Sequence, residues 1–431
     1  MNEKPETDNR IQKRKRTRLD IRSGSAKNPL LAGRALNHRI VFSAVIIAGF
    51  FIWAAVLIQK PHGLQNRAFY SNSEDWFMDF YNTVYYSVGK TPYTWGWLPA
   101  RNYLPIAYML VYPFSFLYPY DISDWGTAGT SRYSQLPAIG GFMFMLFSIL
   151  LVLIPLKRLM KGRESEKIGI LAALLMSSVM LFNYDRANQI VMVMGLLLIY
   201  YISLDSDSLL FRQFGLFCLS LATALKIFPA FFGVLLFQKK RYRDMITAVI
   251  YTVLLAVLPF FWLNGGFTEN IHAYLNALNE HAQVYANGSI GLSADLLFGK
   301  HLPIPELVSY LLAIVSALLS CMQEEEWKRL LQISLAFMLC SGQQNFYCMI
   351  VIFLPLVLLL NKEEFTLFDW VYLLGFIGIL LPAQYHFFGE AISNETVINT
   401  ICVLGFFYLT GKSLVKSILL LRSKAGAVSR C

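Results

Sequence analysis

The 431-residue chain is 56% hydrophobic and 15% charged, with a mean hydropathy of +0.49, so a water-soluble fold would have nowhere to hide its apolar surface. Its formal charge of +10 does not mark a nucleic-acid binder, because eleven Lys and Arg against four acids crowd residues 1–39, directly before the first apolar run. That is the pattern of a basic cytoplasmic tail that fixes orientation and touches anionic membrane lipids. The tail is too long and too charged for the first region of a secretion signal, and no small-residue cleavage site follows it, so it is expected to be retained.

In chain order, the run 40–58 is uncharged and about as long as the ~20 residues that cross a ~30 Å hydrocarbon layer. It predicts an outward crossing, an external segment at 59–134 and a return at 135–156. Within that segment, Asn102–Pro119 is apolar but holds Pro105, Pro113 and Pro119, which argues for a re-entrant or broken piece. Further crossings are expected at 168–184, 189–204, 208–225, 227–237, 245–263, 303–322, 330–342, 345–360, 367–382 and 395–411. The linkers Lys157–Lys167, Gln238–Asp244 and Gln323–Arg329, with the tail from Lys412 onward, collect Lys and Arg and read as cytoplasmic. The expected organisation is a basic tail at 1–39, a membrane domain of about twelve crossings at 40–411 and a second basic tail at 412–431, both termini inside. No internal repeat is evident, which disfavours many secondary transporters.

Several crossings are short and end in polar residues, and broken helices at membrane depth are tolerated only where they are packed in protein or line a wet cavity. The polar residues at these breaks predict an enclosed site near the outer face, built from Asp75, Asp79, Arg101, Asp185, Arg186, Lys226 and Gln343. Asp75 and Asp79 are four apart, on one face of a short interfacial helix whose Trp76, Phe77, Phe80 and Tyr81 would lie against the bilayer. A carboxylate beside low-dielectric walls can serve as a general base, although two solvated loop acids would look the same. Arg186 sits between two apolar runs, where it is either paired with Asp185 or offers a planar grip on a phosphate. Lys226 lies amid apolar residues three before the helix-breaking Pro229, either as a cation for an anionic headgroup or as a snorkelling side chain. Amides of Ser341–Asn345 and Asn287–Ser293 could bind sugar hydroxyls, or form ordinary turns. Cys218, Cys321, Cys340, Cys348 and Cys402 read as small core residues, and His272, His281 and His386 lack ligand spacing, so no metal or cofactor is expected.

Taken in order, an early loop Asp, GKTPY (Gly89–Tyr93), ARNYLP (Ala100–Pro105), NYDRANQ (Asn183–Gln189), ALKIFP (Ala224–Pro229) and KKRYR (Lys239–Arg243) resemble the polyprenol-phosphate-dependent GT-C glycosyltransferases. The nearest likeness is to glycosyltransferase family 87, which includes bacterial mannosyltransferases, and it covers about residues 70–245. The resemblance implies an all-α polytopic membrane protein with a GT-C-like bundle of about twelve transmembrane helices, the first external loop bearing interfacial helices. It implies inverting transfer of a mannose-like hexose or a pentose from a polyprenyl phosphate donor to a lipid or glycan acceptor, at the outer face of a bacterial plasma membrane. Asp75 matches the family's base best and Asp79 second; Arg186, Lys226 and Arg101 would hold the donor phosphate. Asn188, Gln189, Tyr103 and Gln343 would touch sugar or acceptor. At the polar break this chain has Ala187 where the family usually has a glycine. The competing readings are a flippase or transporter of lipid-linked sugars, which would need charge along a whole pathway, and a ligase that transfers a whole glycan, which would need a much longer external loop.

Overall fold

The computed structural model describes residues 37–59, 77–93, 101–118, 134–284, 295–296, 300–301, 305–339, 346–383, 385–387, 390–392 and 394–428. The compact unit His38–Cys431 is built almost wholly of helices. In order these are α1 His38–Gln59, α2 Met78–Ser87, α3 Pro105–Val111, α4 Gln135–Leu159, α5 Glu164–Leu175, α6 Ser178–Arg186, α7 Ile190–Ser203 and α8 Leu209–Leu225. The second half holds α9 Val234–Gln238, α10 Tyr242–Val257, α11 Phe267–Val284, α12 Glu306–Leu319, α13 Glu326–Leu339, α14 Phe353–Leu360, α15 Leu367–Leu380 and α16 Asn394–Val428. Two short antiparallel strand pairs, Asp295–Leu296 with Lys300–His301 and Tyr385–Phe387 with Glu390–Ile392, complete the described structure.

Among the described residues, four helices are individually long and apolar enough to cross a membrane, or five if α5 and α6, bent by 54° at their junction, form one span. The remaining apolar helices run 10–17 residues. They are short because the chain breaks them. Pro113 and Pro229 each open a 3-10 segment, at Tyr112–Leu117 and Phe228–Gly233, since proline supplies no amide to continue the α-helical ladder, whereas the 3-10 turn at Pro259 only tightens the end of the long span Tyr242–Trp262. The described part of the segment expected to break, 102–118, accordingly forms α3, of 7 residues, and a 3-10 turn of 6, together shorter than the ~20 residues of a helical span.

Without a hydrophobic drive between helices in lipid, close packing has to come from small residues at the crossings. Gly195 of α7 lies against the backbone of Leu151 in α4, and Gly215 of α8 lies against Ser203 at the end of α7. The basic linkers meet at one end of this bundle. Asn361 joins the 157–167 linker by accepting from the Lys161 amide (2.7 Å) and donating to the Leu159 carbonyl (2.8 Å). Arg39 donates to Leu360 O (2.8 Å) and pairs with Glu166 (2.8 Å), while Lys239 pairs with Asp205 (2.6 Å) and Lys416 with Glu324 (2.6 Å). Lys362 bridges Glu325 and Asp369 at 2.8 and 2.7 Å.

Candidate functional site

At the end of the bundle opposite these linkers, three helix termini and one loop converge. α2 begins at Phe77, whose left-handed backbone (φ 55°) turns its amide toward the Asp185 carbonyl, 2.6 Å away. This contact fastens the start of α2 to the end of α6 and sets Asp79 in the first turn, where the positive end of the helix favours a carboxylate.

The NYDRANQ segment stops one helix and starts the next. Ala187 closes α6 in the left-handed region (φ 47°, ψ 44°), with its amide bonded to Asn183 O at 2.8 Å. Asn188 then accepts the Ile190 amide on Oδ1 (2.9 Å), opening α7 as a side-chain cap does. This reversal throws the two polar side chains between the helices toward α2. Arg186 donates from Nε (3.1 Å) and Nη2 (2.6 Å) to Oδ1 of Asp79, and Asn188 Nδ2 donates to Oδ2 at 2.7 Å. Each carboxylate oxygen offers about two acceptor directions, so Oδ2 keeps one for a further donor. The ion pair is reachable, with the Arg186 and Asp79 side chains 20% and 16% exposed.

Lys226 follows the last residue of α8, in extended backbone, and Pro229 prevents the helix from resuming. Its Nζ donates to the Tyr103 hydroxyl (3.1 Å) and lies 4.3 Å from that ring's centroid and 6.0 Å from that of Tyr347. The ammonium is also within electrostatic range of Asp79 and of the buried thiol Cys348. The structure therefore brings together Asp79, Arg186, Asn188, Lys226 and Tyr103.

The GKTPY turn supports this cluster from outside. Gly89 and Lys90 both have positive φ (70° and 56°), and Asn264 clamps the turn by donating its backbone amide to Lys90 O (2.9 Å) and its side chain to Gly89 O (2.7 Å). Tyr93 then donates to the backbone carbonyl of Tyr103 at 2.6 Å. Arg101, fully buried, donates to Pro92 O (3.2 Å) and lies over the Tyr86 ring, a placement that ties its loop to the turn. Gln189 donates to Ala107 O (3.3 Å) and is likewise buried in the wall. Asp75 and Gln343 lie outside the described residues, as do the stretches 341–345 and 287–293.

Two residues of this cluster carry no mark in the sequence. Phe77 contributes backbone geometry, and Tyr347 contributes a ring stacked on Phe182 (5.9 Å) and a carbonyl that accepts from Asn183 (3.1 Å). In a chain with 15% aromatic residues, one more Phe or Tyr is no signal; only the position of Tyr347, just after the polar break at 341–345, points to it. Among the described residues, no group of three or more His, Cys, Asp or Glu is placed to hold a metal ion.

Two apolar grooves lie on the bundle, one beside the cluster and one that reaches from Thr223 toward the 238–244 linker. One, of about 320 Å³, lies between α4 and the Phe77–Asp185 junction. The other, of about 400 Å³, runs past Thr223 and Ala230 on either side of the Lys226 break, between α8, α10 and α12. Against this geometry, a family model described as glycosyltransferase family 87 matches residues 102–342, more than half of the chain. The matched region takes in Tyr103, Arg186, Asn188, Gln189 and Lys226 and begins after Asp79. No curated protein matches the chain.

Proposed function

Because the chain belongs to glycosyltransferase family 87, a sugar donor and an acceptor must meet on it, and we propose that they meet at the Asp79, Arg186 and Lys226 cluster. The protein is a membrane glycosyltransferase; its donor, on this reading, is a mannose-like hexose or a pentose carried on polyprenyl phosphate. The observation that carries the reading is a carboxylate held by Arg186 and Asn188 within electrostatic range of a second cation, Lys226. A base and a site for a leaving phosphate thus stand side by side. No nucleotide-binding loop is needed, because the leaving group is a lipid phosphate.

The incoming hydroxyl sits at the open acceptor direction of Asp79 Oδ2 and gives up its proton there as its oxygen bonds to the anomeric carbon. The bond from that carbon to the donor phosphate breaks, its electron pair leaving on the phosphate, and the configuration inverts. Lys226 and Arg186 meet the developing charge, and the ammonium, which ends a helix among tyrosines, is held for that task. Asn188 positions the carboxylate, and Tyr103 positions Lys226 and borders the sugar, with Gln189 behind the acceptor. Arg101 would have to leave Pro92 to reach a phosphate, which supports a role in shaping the loop. A groove for the donor's chain is offered between α8, α10 and α12, where Thr223 lies one turn before Lys226 and Val249, Val253 and Leu318 are half-exposed as lipid contacts would be. The gathering of basic linkers at the far end supports a site on the non-cytoplasmic side of a plasma membrane, with both termini inside and about twelve passes in the GT-C manner.

Purified protein in vesicles should move labelled sugar from polyprenyl phosphate to an acceptor. Asp79→Asn should lower turnover by a factor on the order of 10² or more in protein that still folds, although its melting temperature falls with the lost ion pair. Asp75→Asn is the comparison: the larger loss identifies the base, and full activity in Asp79→Asn removes Asp79 from the reaction.

A further inference from the structure

The last helix, α16, carries two apolar seams on nearly opposite faces. The inner one, Cys402, Phe406, Leu409 and Ser413, is buried against the rest of the bundle. On the outer face Leu404, Phe407, Gly411, Leu414, Ile418 and Leu421 recur at alternating intervals of three and four residues, the a and d positions of a heptad. The same spacing continues in the sequence through Ala425 and Val428, while the four cations of this stretch, Lys412, Lys416, Arg422 and Lys424, all fall off it. Leu414, Ile418 and Leu421 are 48%, 42% and 68% exposed, so the protomer leaves its outer seam uncovered.

Lipid covers only part of that seam. The span Thr396–Ser423 has 28 residues, or ~42 Å at 1.5 Å per residue, against a hydrocarbon layer of ~30 Å. Lys416 pairs with Glu324 of the 323–329 linker, whose side chain is 84% exposed, so the helix has already left the hydrocarbon at that level. Ile418 and Leu421 lie past it, where water would meet them. A helix lying down on the membrane surface would have to bend on leaving the span, yet α16 runs on to Val428 without a break. A dozen residues of bare helix are also at the limit of what holds alone in water.

A second copy fits this seam. Two copies inserted in one membrane share an orientation, so their α16 helices meet parallel and in register, as a closed two-fold pair along a heptad seam requires. In that register each g position faces the e position five residues on in the other copy. Thr410 then faces Val415 and Ser417 faces Arg422, so neither pair sets cation against cation. We propose that the protein is a dimer in the membrane, its copies joined along the outer seam of α16 as a parallel coiled coil that continues beyond the lipid. The extension stands at the linker end, away from the Asp79 cluster, and the dimer does not depend on the reaction assigned there.

The test is disulfide cross-linking of the full chain carrying Cys431→Ser, reconstituted at low density in phosphatidylcholine vesicles. A disulfide needs Cβ atoms about 3.8 Å apart, so Ile418→Cys and Leu421→Cys should give at least about fivefold more covalent dimer on mild oxidation than Leu419→Cys, which lies off the seam. Single-molecule photobleaching should count two copies in the wild type and one in Leu421→Glu; if that variant does not fold, a chain ending at Ser417 serves instead. Equal cross-linking at 419 and 421 reports random collision and overturns the proposal. So does a wild-type count of one, whether the seam then rests on the leaflet or on another protein, and so does a count of two that survives both changes.

Discussion

Arg186 places two donors, Nε and Nη2, on one oxygen of Asp79 and leaves the other oxygen to Asn188. A lysine ammonium is a point charge on a flexible stem and cannot keep that fork, so Arg186→Lys retains charge but loses aim. It should lower kcat/KM by about 10- to 100-fold, roughly 1.4–2.7 kcal/mol in the transition state, with little change in melting temperature. The neighbouring Ala187 shows a different economy. A left-handed backbone costs an L-residue roughly 1–2 kcal/mol, which glycine avoids, so Ala187→Gly should raise stability by about 0.5–1 kcal/mol in a thermal melt. The sequence singled out Arg186 and Lys226, and Asp79 only as second choice after Asp75, because a charge inside or beside an apolar run needs a reason. It could not show that Arg186 pairs with Asp79, because that contact depends on the Phe77 amide being fastened to the Asp185 carbonyl.

At the level of helices, α4 and α7 cross with their backbones in close contact. A methyl on Gly195 would come within 2.7 Å of the Leu151 Cβ and 2.9 Å of its backbone, so one helix must move. Gly195→Ala should destabilise by about 1–3 kcal/mol, read as a lower melting temperature, whereas Gly411→Ala, with nothing within 4 Å, should leave it unchanged or higher. Gly141 of α4 is subtler: a methyl there would first meet the Phe77 ring (2.7 Å) and the Tyr81 hydroxyl (3.4 Å), so strain falls on the helix that carries Asp79. Prolines made some breaks legible, since Pro113 and Pro229 each start a 3-10 segment in a stretch expected to break. The 54° bend between α5 and α6 was not legible, because Ser177 accepts the Met180 amide and starts α6 inside an uninterrupted apolar run. The expected twelve spans correspond in part to such broken pieces, which no count of long apolar helices recovers.

Over the whole molecule, the linker end is held by charge and the opposite end by aromatic packing and the ion pair. Burial works against the Glu325 carboxylate, yet hydrogen bonds from Lys328, Lys362 and Trp327 outweigh it and lower its pKa to about 2 from an ordinary 4.5. Because the folded value is the lower one, this stabilisation is complete above about pH 4.5 and is lost as pH falls through about 2. The gap in melting temperature between the wild type and Glu325→Gln should therefore shrink across that interval. Interrupting several helices at one level also leaves an insulator with a hole drilled partway through it. What plugs the hole is α7 and its neighbours: Val191, Val193, Leu198, Ile333, Phe337 and Leu354 are completely buried, and they fill the path from Arg186 toward the linkers. Such a plug passes neither protons nor sugars, so vesicles bearing the protein should hold an imposed pH gradient as long as bare ones do.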